Sequence, residues 1–124
     1  MGYTDTLPEL DTIAAQAALL RGVLLIDVRE PDEYADDHLA EAQLWPLSQW
    51  TVNPMSGQLE AGFPSAEQLA QAKAASDAGT PVLIICRSGK RSAAATLWLQ
   101  QQGITQAANV SGGMLGWRET EGLC

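Results

Sequence analysis

Four short apolar runs punctuate the chain: VLLIDV at 23–28, AQLW at 42–45, PVLII at 81–85 and AANV at 107–110. The first reads as a buried parallel strand, the third as a second strong strand, and AQLW and AANV as short strand candidates. The segments between them carry a helical period instead. In PELDTIAAQAALL, residues 8–20, Leu10, Ile13, Ala17 and Leu20 recur at three- to four-residue spacing, with Pro8 near the start and Arg21-Gly22 at the close. DEYADD, residues 32–37, predicts a short surface helix after Pro31. Ser65, with Gln68 three residues on, makes a capping-box pattern that opens a helix to about Ser76. Residues 90–102 predict a helix that buries Ala94, Leu97, Trp98 and the stem of Gln101, and Gly103 ends it. A last turn or two over 113–119 places Trp117 inward. Residues 46–64, with three prolines and two glycines, read as an irregular excursion.

Strand and helix alternate throughout. That order predicts an α/β sandwich: a central, mainly parallel sheet with helices on both faces. The 124 residues suit one domain, residues 1–124, with no repeat or linker to divide it. In such sheets ligands bind beyond the carboxyl ends of the strands. Cys86 stands at one such end.

Charge narrows the partners. The net charge is −8, so long-range electrostatics oppose nucleic acid and anionic membrane surfaces. The acidic residues concentrate in EPDEYADDHLAE, residues 30–41, a solvated helix face or a docking surface for a basic partner. The apolar runs are too short to span a bilayer, and the first residues lack a basic, then apolar, leader. Met1-Gly2 with Thr6 matches the short myristoylation pattern only formally. A cytoplasmic location is the expectation. Two cysteines, Cys86 and Cys124, and one histidine make neither a disulfide framework nor a zinc set. No cofactor or metal is expected.

The chemistry concentrates in CRSGKRS, residues 86–92, where three of the seven Lys and Arg residues follow a cysteine within five positions. Read as strand, tight turn and helix start, the loop lets Gly89 adopt positive φ and lets the amides of 87–91 converge on the sulfur. Such a nest lowers a thiol pKa and holds an anion such as a persulfide, sulfate or phosphate. Arg87 and Lys90 are expected at the solvent-facing mouth. Arg91 is expected to fold back onto a carboxylate, with Asp27 and Glu30 as candidates. Ser88 and Ser92 can donate hydroxyl hydrogen bonds.

Three blocks resemble the rhodanese-like (sulfurtransferase) family: LLIDVREPDEYADDHLAEA at 24–42, CRSGKRS at 86–92 and GGMLGW at 112–117. Together they cover nearly the whole chain and are most similar to single-domain members. The resemblance implies a three-layer α/β/α sandwich with about five strands. It implies a small sulfur-donor anion such as thiosulfate, a Cys86 persulfide, and a thiophilic acceptor: cyanide in an assay, a thiol or protein in the cell. Residues 87–92 (Arg87, Ser88, Gly89, Lys90, Arg91, Ser92) would form the anion-binding loop. Four residues separate Cys86 from Arg91, one fewer than in tyrosine-phosphatase-like loops. The shorter loop favours sulfur over a phosphoryl group. A phosphatase- or arsenate-reductase-like enzyme is one alternative; a persulfide carrier or interaction module for a dedicated partner is another. Monomer and weak homodimer both remain open.

Asp27 and Arg29 are expected to support the strand end and the loop by ion pairing. His38 is assigned a structural hydrogen bond to a nearby loop, because a low-pKa thiol needs no general base. Trp45, Trp50, Trp98 and Trp117 suit core and rim, with Trp45 and Trp50 as alternative residues of the site mouth. Cys124 is read as a bystander at the chain end.

Overall fold

In the computed structural model, which describes residues 8–122, five strands form one sheet ordered β1-β5-β4-β2-β3, with every neighbouring pair parallel. The strands are β1 (Glu9–Leu10), β2 (Leu24–Asp27), β3 (Ala42–Leu44), β4 (Val82–Ile85) and β5 (Ala107–Val110). The helices are α1 (Thr12–Leu19), α2 (Pro31–Asp36), α3 (Ala66–Asp77), α4 (Lys90–Gln101) and α5 (Gly113–Gly122). The α/β sandwich is as expected, with a fifth strand, β1, that the apolar pattern did not reveal.

The two faces of the sheet bury separate cores. Side chains alternate along a strand. Val82 and Ile84 of β4 therefore join Ile26, Trp45, Trp50, Ala72, Ala95 and Leu99 on one face, under α3 and α4. Leu83 and Ile85 join Ala15, Ala18, Leu25, Val110, Met114 and Trp117 on the other, under α1 and α5. Cys86 continues the even-numbered face and points toward α4. All four residues of β4 are fully buried, which is why this strand reads as an unbroken apolar run.

The amino-terminal segment departs from the expected helix over 8–20. Leu10 pairs with Val110 in the sheet, and the Asp11 side chain accepts from the Ala14 amide and starts α1 only at Thr12. The buried face is Ala15 and Ala18, whereas Ile13 is 63% and Leu20 90% exposed. Small residues there let α1 approach the sheet and α5 closely, which the spacing of the larger side chains concealed.

Helix α4 is rotated from its expected face. Its buried residues are Ser92, Ala95, Thr96 and Leu99; Ala94 and Leu97 are exposed and Trp98 is half-buried beside Trp50. Two polar residues hold the inward stripe because both are satisfied there. Thr96 donates to the Ser92 carbonyl at 2.7 Å, and Ser92 faces the Cys86 sulfur. The capping box of α3 forms as expected, with Ser65 and Gln68 exchanging hydrogen bonds. Among the described residues no helix is long and apolar enough to cross a membrane.

Candidate active site

The chain runs outward from β2 to β3 on one side of the sheet and from β4 to β5 on the other. The direction switches between β2 and β4, and the crevice beyond their carboxyl ends is where such sheets take ligands. Asp27 ends β2 and Cys86 follows β4 at this point.

The loop after β4 wraps around the Cys86 sulfur. Gly89 stands at the N-cap of α4 with φ +100°, a conformation that glycine adopts without strain. That turn aims the Gly89 amide at Cys86 Sγ from 3.1 Å. The Ser92 amide lies at 3.3 Å and the Ser92 hydroxyl at 3.2 Å from the same sulfur. Burial opposes the thiolate, but the Ser92 hydroxyl and the amides of Ser92, Gly89 and Ser88 outweigh it and hold the thiol below its ordinary pKa. Cys86 itself is 1% exposed.

The loop is also held from behind. Met114 and Leu115, in the first turn of α5, donate their amides to the carbonyls of Cys86 and Arg87 at 2.8 and 3.0 Å. The backbone of Gly113 passes so close that a Cβ there would overlap both carbonyl oxygens. Close approach thus requires glycine at Gly113, the first residue of α5, and α5 holds the carbonyls of the loop in place.

Arg91 folds back as expected but onto neither candidate carboxylate. It makes a two-pronged ion pair with Glu33 of α2, at 2.7 and 2.9 Å. This pair holds Glu33 down at about 2, through the Arg91 hydrogen bonds first, with burial opposing and the Glu30 amide assisting. The expected partners are engaged elsewhere. Asp27 is bound by Arg29, and Glu30 accepts from the Ser48 hydroxyl at 2.7 Å and takes part in the capping box of α2. Asp27 and Arg29 form a buried ion pair at 2.8 Å, and Arg29 also donates to the Asp37 carbonyl at 2.6 Å. The pair thus ties the end of β2 to the end of α2 rather than to the 86–92 loop.

Arg87, Ser88 and Lys90 are exposed at the mouth. The Arg87 side chain borders a cavity of about 340 Å³, open to solvent. Three guanidinium groups, of Arg29, Arg87 and Arg118, and three carboxylates, of Glu33, Asp36 and Asp37, line it, with Met114 and Leu115 as its apolar side. Arg118 pairs with Asp37 at 2.6 Å. Among the described residues no side-chain hydrogen bond or ion pair engages Arg87, so its charge is available to a ligand.

Trp45 and Trp50 lie in the core, fully buried and 6% exposed, and do not line this cavity. His38 is exposed, stacks on Tyr34 at 3.8 Å, and bonds the Tyr34 carbonyl of α2 rather than a loop. Cys124 and the Thr6 pattern lie outside the described residues. Sequence reasoning missed Glu33, the α5 amides and Asn109, a buried amide beside Ser92. Only the Gly112-Gly113 pair hinted at the second of these.

The rhodanese-like domain family matches residues 9–120, and the chain belongs to that family. It is 30% identical over 108 residues to thiosulfate sulfurtransferase 18 of Arabidopsis thaliana, covering 87% of this chain and 76% of that one. It is 26% identical over 106 residues to the thiosulfate sulfurtransferase GlpE of Pseudomonas fluorescens, covering 86% and 80%. A protein of Synechocystis is 32% identical over 97 residues, which are 78% of this chain but 44% of that longer relative. Among solved structures, a human single-domain sulfurtransferase superposes with a TM-score of 0.62 at 24% identity, covering 92% of this chain and 97% of the other.

Proposed function

We propose that the protein is a single-domain sulfurtransferase that carries sulfur as a Cys86 persulfide. One observation supports this most directly: the sulfur sits inside converging donors from Gly89 and Ser92, with an uncommitted guanidinium, Arg87, at the mouth. The sulfurtransferases among its relatives support the same reading.

With thiosulfate as donor, the Cys86 thiolate attacks the outer, sulfane sulfur. A new S–S bond forms, the old one breaks, and its electron pair leaves with sulfite. The persulfide left on Cys86 carries one negative charge. An acceptor nucleophile then takes the outer sulfur and returns the Cys86 thiolate; cyanide leaves as thiocyanate. Arg87 draws in the anion, and the first-turn amides of α4, which lack helical partners, face the transferred sulfur. Four residues between Cys86 and Arg91 make a cradle suited to sulfur rather than to a phosphoryl group.

Intact mass tests the proposal. Purified protein should gain one sulfur on exposure to thiosulfate and lose it to cyanide, and Cys86→Ser protein should gain none. No gain from thiosulfate or from a small organic persulfide, in folded protein with a titratable Cys86, would overturn it. Hydrolysis of an aryl phosphate by the same sample would favour the phosphatase alternative.

A further inference from the structure

Ser92 Oγ touches two groups and carries one proton. It lies 3.2 Å from Cys86 Sγ and in a short hydrogen bond with Asn109 Oδ1. The orientation of the Asn109 amide settles which contact the proton serves. Its Nδ2 donates to Glu9 Oε2 at 2.9 Å and to the Gly89 carbonyl at 3.1 Å. Both are acceptors, so a flipped amide would set oxygen against oxygen twice. The pairing of β1 with β5 brings Glu9 opposite Asn109 and fixes this arrangement. Asn109 Oδ1 has no proton to give. The Ser92 hydroxyl therefore donates to Asn109, and toward Cys86 the same oxygen can only accept. The closed chain is Cys86 S–H to Ser92 Oγ–H to Asn109 Oδ1, with Asn109 Nδ2–H to Glu9, and it matches the neutral thiol.

A thiolate cannot complete that chain. To donate to sulfur, the Ser92 hydroxyl must turn away and leave Asn109 Oδ1 without a partner at a side chain that is 1% exposed. We propose that Asn109 is a positioning residue: by competing for the Ser92 proton it holds the Cys86 thiolate at higher energy than the loop amides and an uncontested Ser92 hydroxyl would together set. A more basic thiolate is the stronger nucleophile once formed. Resting on the persulfide reading, there is a further consequence. Loading with sulfur moves the charge off Sγ, so the Ser92 hydroxyl can return to Asn109, and the loaded state is favoured over the free thiolate.

Other charges bear on the thiol too. Arg91 of α4 acts on it through its charge and is paired with Glu33 of α2, near Glu30. Arg87 and Lys90 flank it in sequence, the Asp27–Arg29 pair ends the neighbouring strand, and Glu9 of β1 stands behind Asn109. A double-mutant cycle separates them, because it isolates what passes through the hydroxyl.

Thiolate ultraviolet absorbance would be followed against pH in a Cys124→Ser background, so that one thiol titrates. Asn109→Leu, near-isosteric, should lower the Cys86 pKa by about one unit, tenfold in the ionisation constant. Ser92→Ala should raise it, and Asn109→Leu should have no further effect once Ser92 is alanine. An unchanged or raised pKa in Asn109→Leu, or an equal shift with and without the Ser92 hydroxyl, would overturn the proposal. The unsubstituted site gives a second reading that needs no folded Asn109 variant. Below its pKa, the S–H Raman band of Cys86 should lie at the lowered frequency of a donating thiol, and a free-thiol frequency would overturn the proposal. Neither measurement needs sulfur transfer, so failure of the sulfurtransferase reading would show separately, as absence of mass gain.

Discussion

Arg91 and Glu33 are 58 residues apart in sequence and meet through two parallel hydrogen bonds, at 2.7 and 2.9 Å. Arg91 belongs to the first turn of α4, directly after the sulfur-bearing loop, and Glu33 to the first turn of α2. The pair clamps the start of α4 to the opposite side of the crevice. It also commits one cation of the CRSGKRS motif to an ion pair, whereas the side chains of Arg87 and Lys90 are exposed.

The two arginines should therefore separate by effect. Arg91→Ala should cost about 0.5–1 kcal/mol of stability, a figure kept low because both side chains are about a third exposed. Arg87→Ala should leave stability within about 0.5 kcal/mol and raise KM for an anionic sulfur donor. Urea unfolding alongside steady-state transfer assays checks both. A larger stability loss in Arg87→Ala would invert the assignment.

Acid should weaken the same clamp. Glu33 titrates at about 2 in the folded chain against an ordinary 4.5. A depressed carboxyl stabilises the fold fully above its unfolded pKa and loses that contribution as pH falls through the folded one. Unfolding free energy should thus decline between about pH 5 and pH 2. Glu33→Gln should flatten part of the decline. An identical acid limb in Glu33→Gln would show that the pair contributes nothing measurable.

Cys86→Ser should fold normally and lose sulfur uptake. The serine hydroxyl fits the same donors, so stability should stay within about 1 kcal/mol. Transfer should fall by about three orders of magnitude or more, because no anion forms there at neutral pH. Wild-type transfer rates in this variant would place the nucleophile elsewhere.

Much of this was legible beforehand, and the exceptions share a cause. The strands at 82–85 and 107–110 announce themselves because their residues are buried on both sides. The Gly89 turn and the Cys86 position follow from local grammar: apolar run, glycine, cations, helix start. Three features depend on distant pairing and leave little local trace. Strand β1 has two residues and exists because Glu9 and Leu10 lie against Asn109 and Val110. Arg91 could be predicted to seek a carboxylate, but choosing Glu33 required knowing that Arg29 already holds Asp27. The inward face of α4 departs from the apolar spacing because Ser92 and Thr96 look like surface residues until the sulfur and the Ser92 carbonyl supply their partners.

Gly113→Ala should damage the site without touching the sulfur. Its φ of +57° lies in the left-handed region, and a Cβ would meet the carbonyls of Cys86 and Arg87. Moving α5 to relieve the overlap would break the Met114 and Leu115 hydrogen bonds that hold the loop. We expect a stability loss of about 1–3 kcal/mol, together with a raised Cys86 pKa as the loop amides lose their aim. Thermal unfolding and thiol titration test this together. Loss of stability with an unchanged thiol pKa would mean that α5 supports the fold but not the cradle.

The pH dependence of sulfur uptake is the sharpest test of the cradle itself. The hydrogen bonds from Ser92, Gly89 and Ser88 prevail over burial and lower the Cys86 pKa. Only the thiolate attacks sulfane sulfur, so the single-turnover rate should rise with pH and level off below the ordinary thiol range of about 8.5. The midpoint should coincide with the thiolate absorbance of Cys86. Ser92→Ala should move both midpoints upward together, since it removes the hydroxyl and keeps the amides. A rate that keeps climbing through pH 9 in the unsubstituted protein would mean that burial, not the donors, sets the thiol, and that the loop holds a ligand rather than a nucleophile.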